Sequence, residues 1–227
     1  MSVHLDLFME NEDRLLNWVL ERYADSSVGQ ACGCNNPDAL RTTRCYDCNH
    51  PPTCSECYIH VHKSSPTHWA EVWNPQLGFF VRHDISMLRP NGYSISLGHS
   101  GLPCPSASID EAGVNFHLID TNGIHQTRIQ FCHCRGDPDR AEQLMRARYF
   151  PATPLRPTTA FTWQVLHLFH LQQLEAKISA YDFVGSLRRM TNNSFAQDTP
   201  VGLLLLDVLF NPQHFLLSRT HPHSLDW

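Results

Sequence analysis

The stretch Cys32–His68, CGCNNPDALRTTRCYDCNHPPTCSECYIHVHKSSPTH, decides how this chain folds. It holds three close cysteine pairs, Cys32-x-Cys34, Cys45-x2-Cys48 and Cys54-x2-Cys57, and then His62 and His68. A Cys-x2-Cys pair turns both sulfurs toward one ion, and eight donors suffice for two tetrahedral zinc sites. Four consecutive pairs suit an interleaved arrangement, in which the first and third share one ion and the second and fourth share the other. That predicts Cys32, Cys34, Cys54 and Cys57 on one zinc, and Cys45, Cys48, His62 and His68 on the second. His60 could replace His62, and His50 could serve if Cys34 points away. Sites of this kind are closed, with no open position for a reacting water, so they hold structure rather than catalyse. A segment of about 45 residues with so few large apolar groups cannot supply its own core, and its folding should depend on metal.

Downstream stands a second constellation, His99, Cys104, Cys132 and Cys134. It reads either as a third zinc site or as structural cysteines beside a surface histidine. His167 and His170, three apart on one helical face, read as a half-exposed polar strip, and Asp120 reads as turn chemistry. No nucleophile with its base, phosphate loop or dispersed acidic set is visible, so the sequence points to no small-molecule substrate and no catalytic residues.

Around these groups the pattern is mixed α and β. Asn11 to Tyr23 predicts an amphipathic helix capped by Asn11, with Leu15, Leu16, Val19, Leu20 and Tyr23 as its apolar stripe. Phe79–Val81 and Tyr93–Leu97 read as short strands. Phe116–Asp120 and Ile124–Phe131 flank Thr121-Asn122-Gly123 and predict a β-hairpin. A helix over Arg140–Arg148 follows, then one capped by Thr158 or Thr159 and running through Ala176, then one capped by Ser179 and running through Met190. The expected organisation is an N-terminal helix in 1–27 and a cysteine-cluster domain in 28–136, with its cluster in 32–68 and a β region in 79–134. A helical segment over 137–193 and a divergent tail over 194–227 complete it. The fold class is α+β: a small zinc-stabilised, irregular domain with B-box-like interleaved sites, then the hairpin region, then C-terminal helices.

Bulk properties narrow the class further. The chain has 227 residues, 42% of them hydrophobic, and a formal net charge of −5. Nothing in that balance attracts nucleic acid globally, so any DNA contact has to come from a local patch. Arg128, Arg135, Arg140, Arg146 and Arg148 form the one arginine-dense stretch. The nine cysteines could suggest a secreted scaffold. The start of the chain is acidic, however, and shows neither a basic nor an apolar signal region. The apolar run Val201–Phe210 is too short to span a bilayer. A reducing compartment is expected, where clustered cysteines mean metal.

Several blocks also resemble a known family. Arg44-Cys45-Tyr46-Asp47-Cys48, Cys54-x2-Cys57 and His62-x3-Pro66-x-His68 come first. Leu97-Gly98-His99, Pro103-Cys104-Pro105, Ile119 to His125 and Phe131-Cys132-x-Cys134 follow. Arg146 to Thr153 and Lys177 to Phe183 complete the series. In this order, over roughly residues 10–193, they resemble the cysteine-cluster domain found beside Kyakuja–Dileera–Zisupton (KDZ) transposases of fungi. The resemblance implies a nuclear accessory region of a mobile-element protein, contacting DNA or a transposase or chromatin partner. It also implies an RNase H-like catalytic domain that is not in this chain, as in a truncated or degenerate copy. A B-box-like module for protein partners is the alternative.

Overall fold

The computed structural model describes residues 3–106, 113–136 and 138–198; the run Val201–Phe210 lies outside them. No helix among the described residues is long and apolar enough to cross a membrane. The architecture is mixed α+β, with six helices and two sheets among the described residues. The chain forms two compact units. The first holds the described residues up to His62 together with His68–His83. The second holds Lys63–Thr67 and everything described from Asp84 onward.

The first unit begins with α1 (Val3–Glu10) and α2 (Glu12–Tyr23), followed by β1 (Thr43–Cys45), α3 (Ser55–His62), β2 (Ala70–Asn74) and β3 (Phe79–His83). The strands form an antiparallel sheet in the order β1-β2-β3. Asn11 does not cap α2 with its side chain; instead its amide donates to the Leu7 carbonyl of α1. One buried cation joins α2 to the sheet. Arg44 of β1 donates through Nε to Glu71 of β2 at 2.7 Å and through Nη1 to the Arg22 carbonyl in the last turn of α2. Its guanidinium lies 3.8 Å from the Phe80 ring centroid and 5.4 Å from that of Tyr23. A cation at a helix C-terminus meets the negative end of the helix dipole and an orphan carbonyl together.

The second unit is built on a five-stranded sheet. Its strands are β4 (Ile95–Ser96), β5 (Val114–Asp120), β6 (Gly123–Gln130), β7 (Tyr149–Pro151) and β8 (Thr159–Thr162), ordered β4-β6-β5-β8-β7. The predicted hairpin is β5–β6, closed by the pair Asp120 and Gly123 around Thr121-Asn122. Side chains alternate across a strand, so Leu118 and Ala160 enter one core and their neighbours Ile119 and Phe161 enter another. The first core adds Ile95, Leu97, Phe116, Ile129, Phe131 and, from α4 (Arg140–Arg146), Leu144. The second packs α5 (Trp163–Ala176) and α6 (Ala180–Thr191) on the opposite face through Val165, Phe169, Phe183 and Leu187.

The expected helix start at Thr158 or Thr159 is corrected here. Thr159–Thr162 is strand, pairing with β5 and β7, and the cap is Thr162, which accepts from the Val165 N–H. Local threonine capping signals are equivalent in sequence, and sheet pairing selects among them. Asp120 does more than shape a turn, since it accepts from Thr162 Oγ1 at 2.7 Å and from Thr67 Oγ1 at 2.6 Å. His125, 1% exposed, pairs with Asp84 at 3.0 Å inside the same unit.

Leu118 is fully buried between strands while Leu155 is 83% exposed. Leu118→Ala should therefore lower the unfolding free energy by about 2–5 kcal/mol, and Leu155→Ala should change it by less than about 0.5 kcal/mol. Urea denaturation of the metal-loaded chain measures both.

Candidate metal centres

Three groups of four donors come together in the structure: Cys32, Cys34, Cys54 and Cys57; Cys45, Cys48, His62 and His68; and His99, Cys104, Cys132 and Cys134. Within each group one ligand atom per residue lies within 4.8 Å of every other, and each group could hold a metal ion. The first two are the interleaved sets that the spacing predicts. His50 and His60 stay outside: His50 Nδ1 sits 2.8 Å from the Pro51 carbonyl oxygen, and His60 is exposed.

The backbone explains how each set assembles. In the first, Gly33 takes a φ of +77°, a left-handed conformation that glycine adopts without cost. It folds the short Cys-x-Cys so that Cys34 Sγ reaches within 4.0 Å of Cys54 Sγ. The Cys54 N–H donates to Cys32 Sγ at 3.1 Å. In the second, β1 delivers Cys45, the Cys48 N–H donates back to Cys45 Sγ at 3.3 Å, and the end of α3 delivers His62. Tyr58, one turn earlier and fully buried, stacks on the His62 ring at 4.0 Å. Its carbonyl lies 3.0 Å from His62 Nδ1, leaving Nε2 to face Cys48 Sγ at 3.3 Å. Holding the far ring nitrogen fixes the tautomer that a metal-ligating histidine needs. The Tyr58 hydroxyl lies 3.3 Å from the His68 carbonyl oxygen and 3.7 Å from Cys45 Sγ, two acceptors for its single hydrogen. Burial and the Cys45 sulfur hold its pKa well above the ordinary value, so it acts as a neutral donor. Tyr58 went unremarked in the sequence, although its place four residues before His62 was the available signal.

In the third set, Gly98 takes a φ of +85°, and a Cβ there would stand 3.3 Å from Cys132 Cβ. The Gln143 side chain of α4 brackets Cys132, accepting from its N–H at 2.7 Å and donating to its carbonyl at 2.9 Å. Cys104 Sγ lies 3.8 Å from Cys132 Sγ and 3.6 Å from Cys134 Sγ. His99 Nε2 lies 3.2 Å and 3.4 Å from the same two sulfurs.

These separations test the fit to a metal. A tetrahedral zinc with bonds of about 2.3 Å to sulfur and about 2.0 Å to nitrogen spaces its ligands about 3.8 Å sulfur to sulfur and about 3.5 Å sulfur to nitrogen. The 3.2–4.0 Å values above match those edges. The donor chemistry of four sulfurs, two sulfurs with two imidazoles, and three sulfurs with one imidazole is consistent with zinc.

The thiols also show what a cation would change. Burial, followed by the neighbouring Cys54, Cys32 and Cys34 sulfurs, pushes the Cys57 thiol up to about 12. Cys54 is raised chiefly by burial. In the third set, the His133 N–H donating to the Cys104 sulfur is the largest influence; with further help from the Ser106 N–H it brings that thiol down to about 6 despite desolvation. Four packed sulfurs cannot all ionise without a compensating positive charge, which a divalent ion supplies.

The arginines named from the sequence all lie in the second unit. Arg128 donates to Asn115 and to the Asn91 carbonyl, Arg140 stacks over Phe131, and Arg146 pairs with Glu142 at 2.7 Å while 73% exposed. Arg135 and Arg148 are exposed. His167 is exposed and His170 half-buried, outside any donor group found among the described residues.

Three cysteine-rich donor sets on an α+β frame define a cysteine-cluster protein. Residues 88–195 match the family described as a CxC2-like cysteine cluster associated with KDZ transposases. That stretch contains the third donor set, with its Cys132-x-Cys134, and begins after the first two. No curated protein and no solved structure matches the chain.

Native mass spectrometry should count three ions on the chain, and Cys57→Ser, Cys48→Ser and Cys134→Ser should each remove one. Metal binding displaces thiol protons, so at pH 7.4 the first set, with Cys57 near 12, should release more protons per ion than the third, where Cys104 near 6 is already a thiolate. Affinity at the first set should accordingly fall more steeply as pH drops. Calorimetry in buffers of different ionisation enthalpy reads that difference.

Proposed function

We propose that this chain is a zinc-scaffolded, non-catalytic recognition module that works with a KDZ-type transposase in the nucleus. The observation that carries the reading is closure: each donor set offers four ligand atoms within 4.8 Å of one another, so an ion held by all four has no open position to activate water or polarise a substrate. Cys32, Cys34, Cys54 and Cys57 hold one zinc; Cys45, Cys48, His62 and His68 hold the second; His99, Cys104, Cys132 and Cys134 hold the third. Bound zinc supplies cross-links and charge compensation. In this reading strand cutting is the transposase's work, and this chain contributes recognition.

DNA is the partner of this reading, and Arg128, Arg135, Arg140, Arg146 and Arg148 carry the contact. Arg135 and Arg146 line one cleft with His99 and Cys134, so the third zinc shapes the surface on which they stand. The planar guanidinium fork suits phosphate. A second reading, a B-box-like module for protein partners, is favoured by the exposed apolar residues of α1 and α2.

The two readings separate on salt. With zinc loaded, duplex DNA should bind and lose affinity steeply with added salt. Arg135→Ala and Arg148→Ala should each reduce the slope of log K against log salt by about 1. Absence of DNA binding, or a flat salt response, would favour the protein-partner reading.

A further inference from the structure

The stretch LDLFMENEDRLLNWVLERY, Leu5 to Tyr23, is strongly apolar yet almost uncovered. Leu5, Leu7, Phe8 and Met9 of α1 are 50–65% exposed, and Leu16, Trp18, Val19, Leu20 and Tyr23 of α2 are 52–56% exposed; no residue of α2 is buried. At 100° per residue, Trp18, Leu15, Val19, Tyr23, Leu16 and Leu20 of α2 span an arc of roughly half the helix, with Glu12 at its N-terminal end and Arg22 at its C-terminal end. An apolar patch of this extent on a folded chain marks an interaction surface.

This arm is presented rather than loose. Arg44, with its side chain only 6% exposed, grips the Arg22 carbonyl, faces the Tyr23 ring and is itself held by Glu71 and Phe80. The C-terminal end of α2 is thus fixed to the β1-β2-β3 sheet.

Charge selects the occupant. The arm and its flank carry Asp6, Glu10, Glu12, Asp13, Glu21 and Asp25 against Arg14 and Arg22. Arg14 is turned onto Trp18, 4.6 Å from its ring centroid. Two copies of so acidic an arm would bring like charges together, which opposes self-pairing. We infer that α1 and α2 form a docking arm for a cationic amphipathic helix of a partner protein, whose apolar stripe covers Leu16, Val19 and Leu20 and whose Lys or Arg flanks meet Glu12 and Asp13. The inference deepens the protein-partner reading above and is independent of the DNA reading.

The test uses the full, zinc-loaded chain and a dye-labelled Leu/Lys amphipathic peptide about five turns long, with its Leu/Glu counterpart as control. Fluorescence anisotropy should show the Leu/Lys peptide binding at least about tenfold more tightly than the Leu/Glu peptide. Leu16→Gln with Val19→Gln should abolish binding, and Glu12→Lys with Asp13→Lys should reverse the preference between the peptides. All four positions are exposed, so zinc content and secondary structure should stay unchanged. A loss of zinc in the starting protein would instead indict the metal reading. Equal binding of both peptides, or binding indifferent to Leu16 and Val19, overturns the inference. So does a sedimentation profile in which the arm closes a dimer of this chain.

Discussion

The one constraint that shapes the first unit is the convergence of its sulfur and imidazole donors into two groups of four. Among the described residues, its buried apolar side chains outside the ligands are Tyr58, Ile59, Trp69 and Ala70, a small core beside the conformational entropy of its loops. Tyr58 and Ile59 ride on α3, the helix that also carries Cys57 and His62, so the small core and the donors share one element. The second unit differs in kind. Two apolar cores on opposite sheet faces hold it, and its donor set sits at the rim, with His99 and Cys134 exposed. The donor sets form most of the buried framework of one unit and sit at the edge of the other.

The electrostatics of the sets follow from the same crowding. Burial first, and then the neighbouring sulfurs at ligand distance, oppose the ionisation of a thiol, and Cys57 records both. Where backbone N–H groups point at a sulfur, as at Cys104, the obstacle is offset in advance. Two chemically similar sets thus begin from different proton inventories, decided by which N–H groups the loops aim inward.

Much of this was legible in the sequence because ligand spacing is local. The pairing of Cys32 and Cys34 with Cys54 and Cys57 follows from order alone, and Ser179 and the β5–β6 hairpin are read from one or two residues. What was hidden depended on distant partners. The helix α3 was obscured because cysteine and histidine occupy positions where apolar periodicity would have shown. The strand Thr159–Thr162 looked like a helix start until its pairing with β5 was known. Nothing local to Arg44 marks it as buried, since its partners Glu71, Phe80 and Tyr23 come from β2, β3 and α2. For the His99, Cys104, Cys132 and Cys134 group, spacing alone left two readings open, because the Gln143 bracket and the Gly98 approach that assemble it come from separate elements.

Interleaving has a thermodynamic consequence of its own. The ligands of the first set enclose Cys45 and Cys48, and those of the second enclose Cys54 and Cys57, so each ring closed by an ion threads through the span of the other. Filling either set shortens the free chain that must be closed to fill its neighbour, and closure entropy falls with loop length. Closing one set therefore lowers the entropic cost of closing the other, and the geometry couples the two sites through the chain between them.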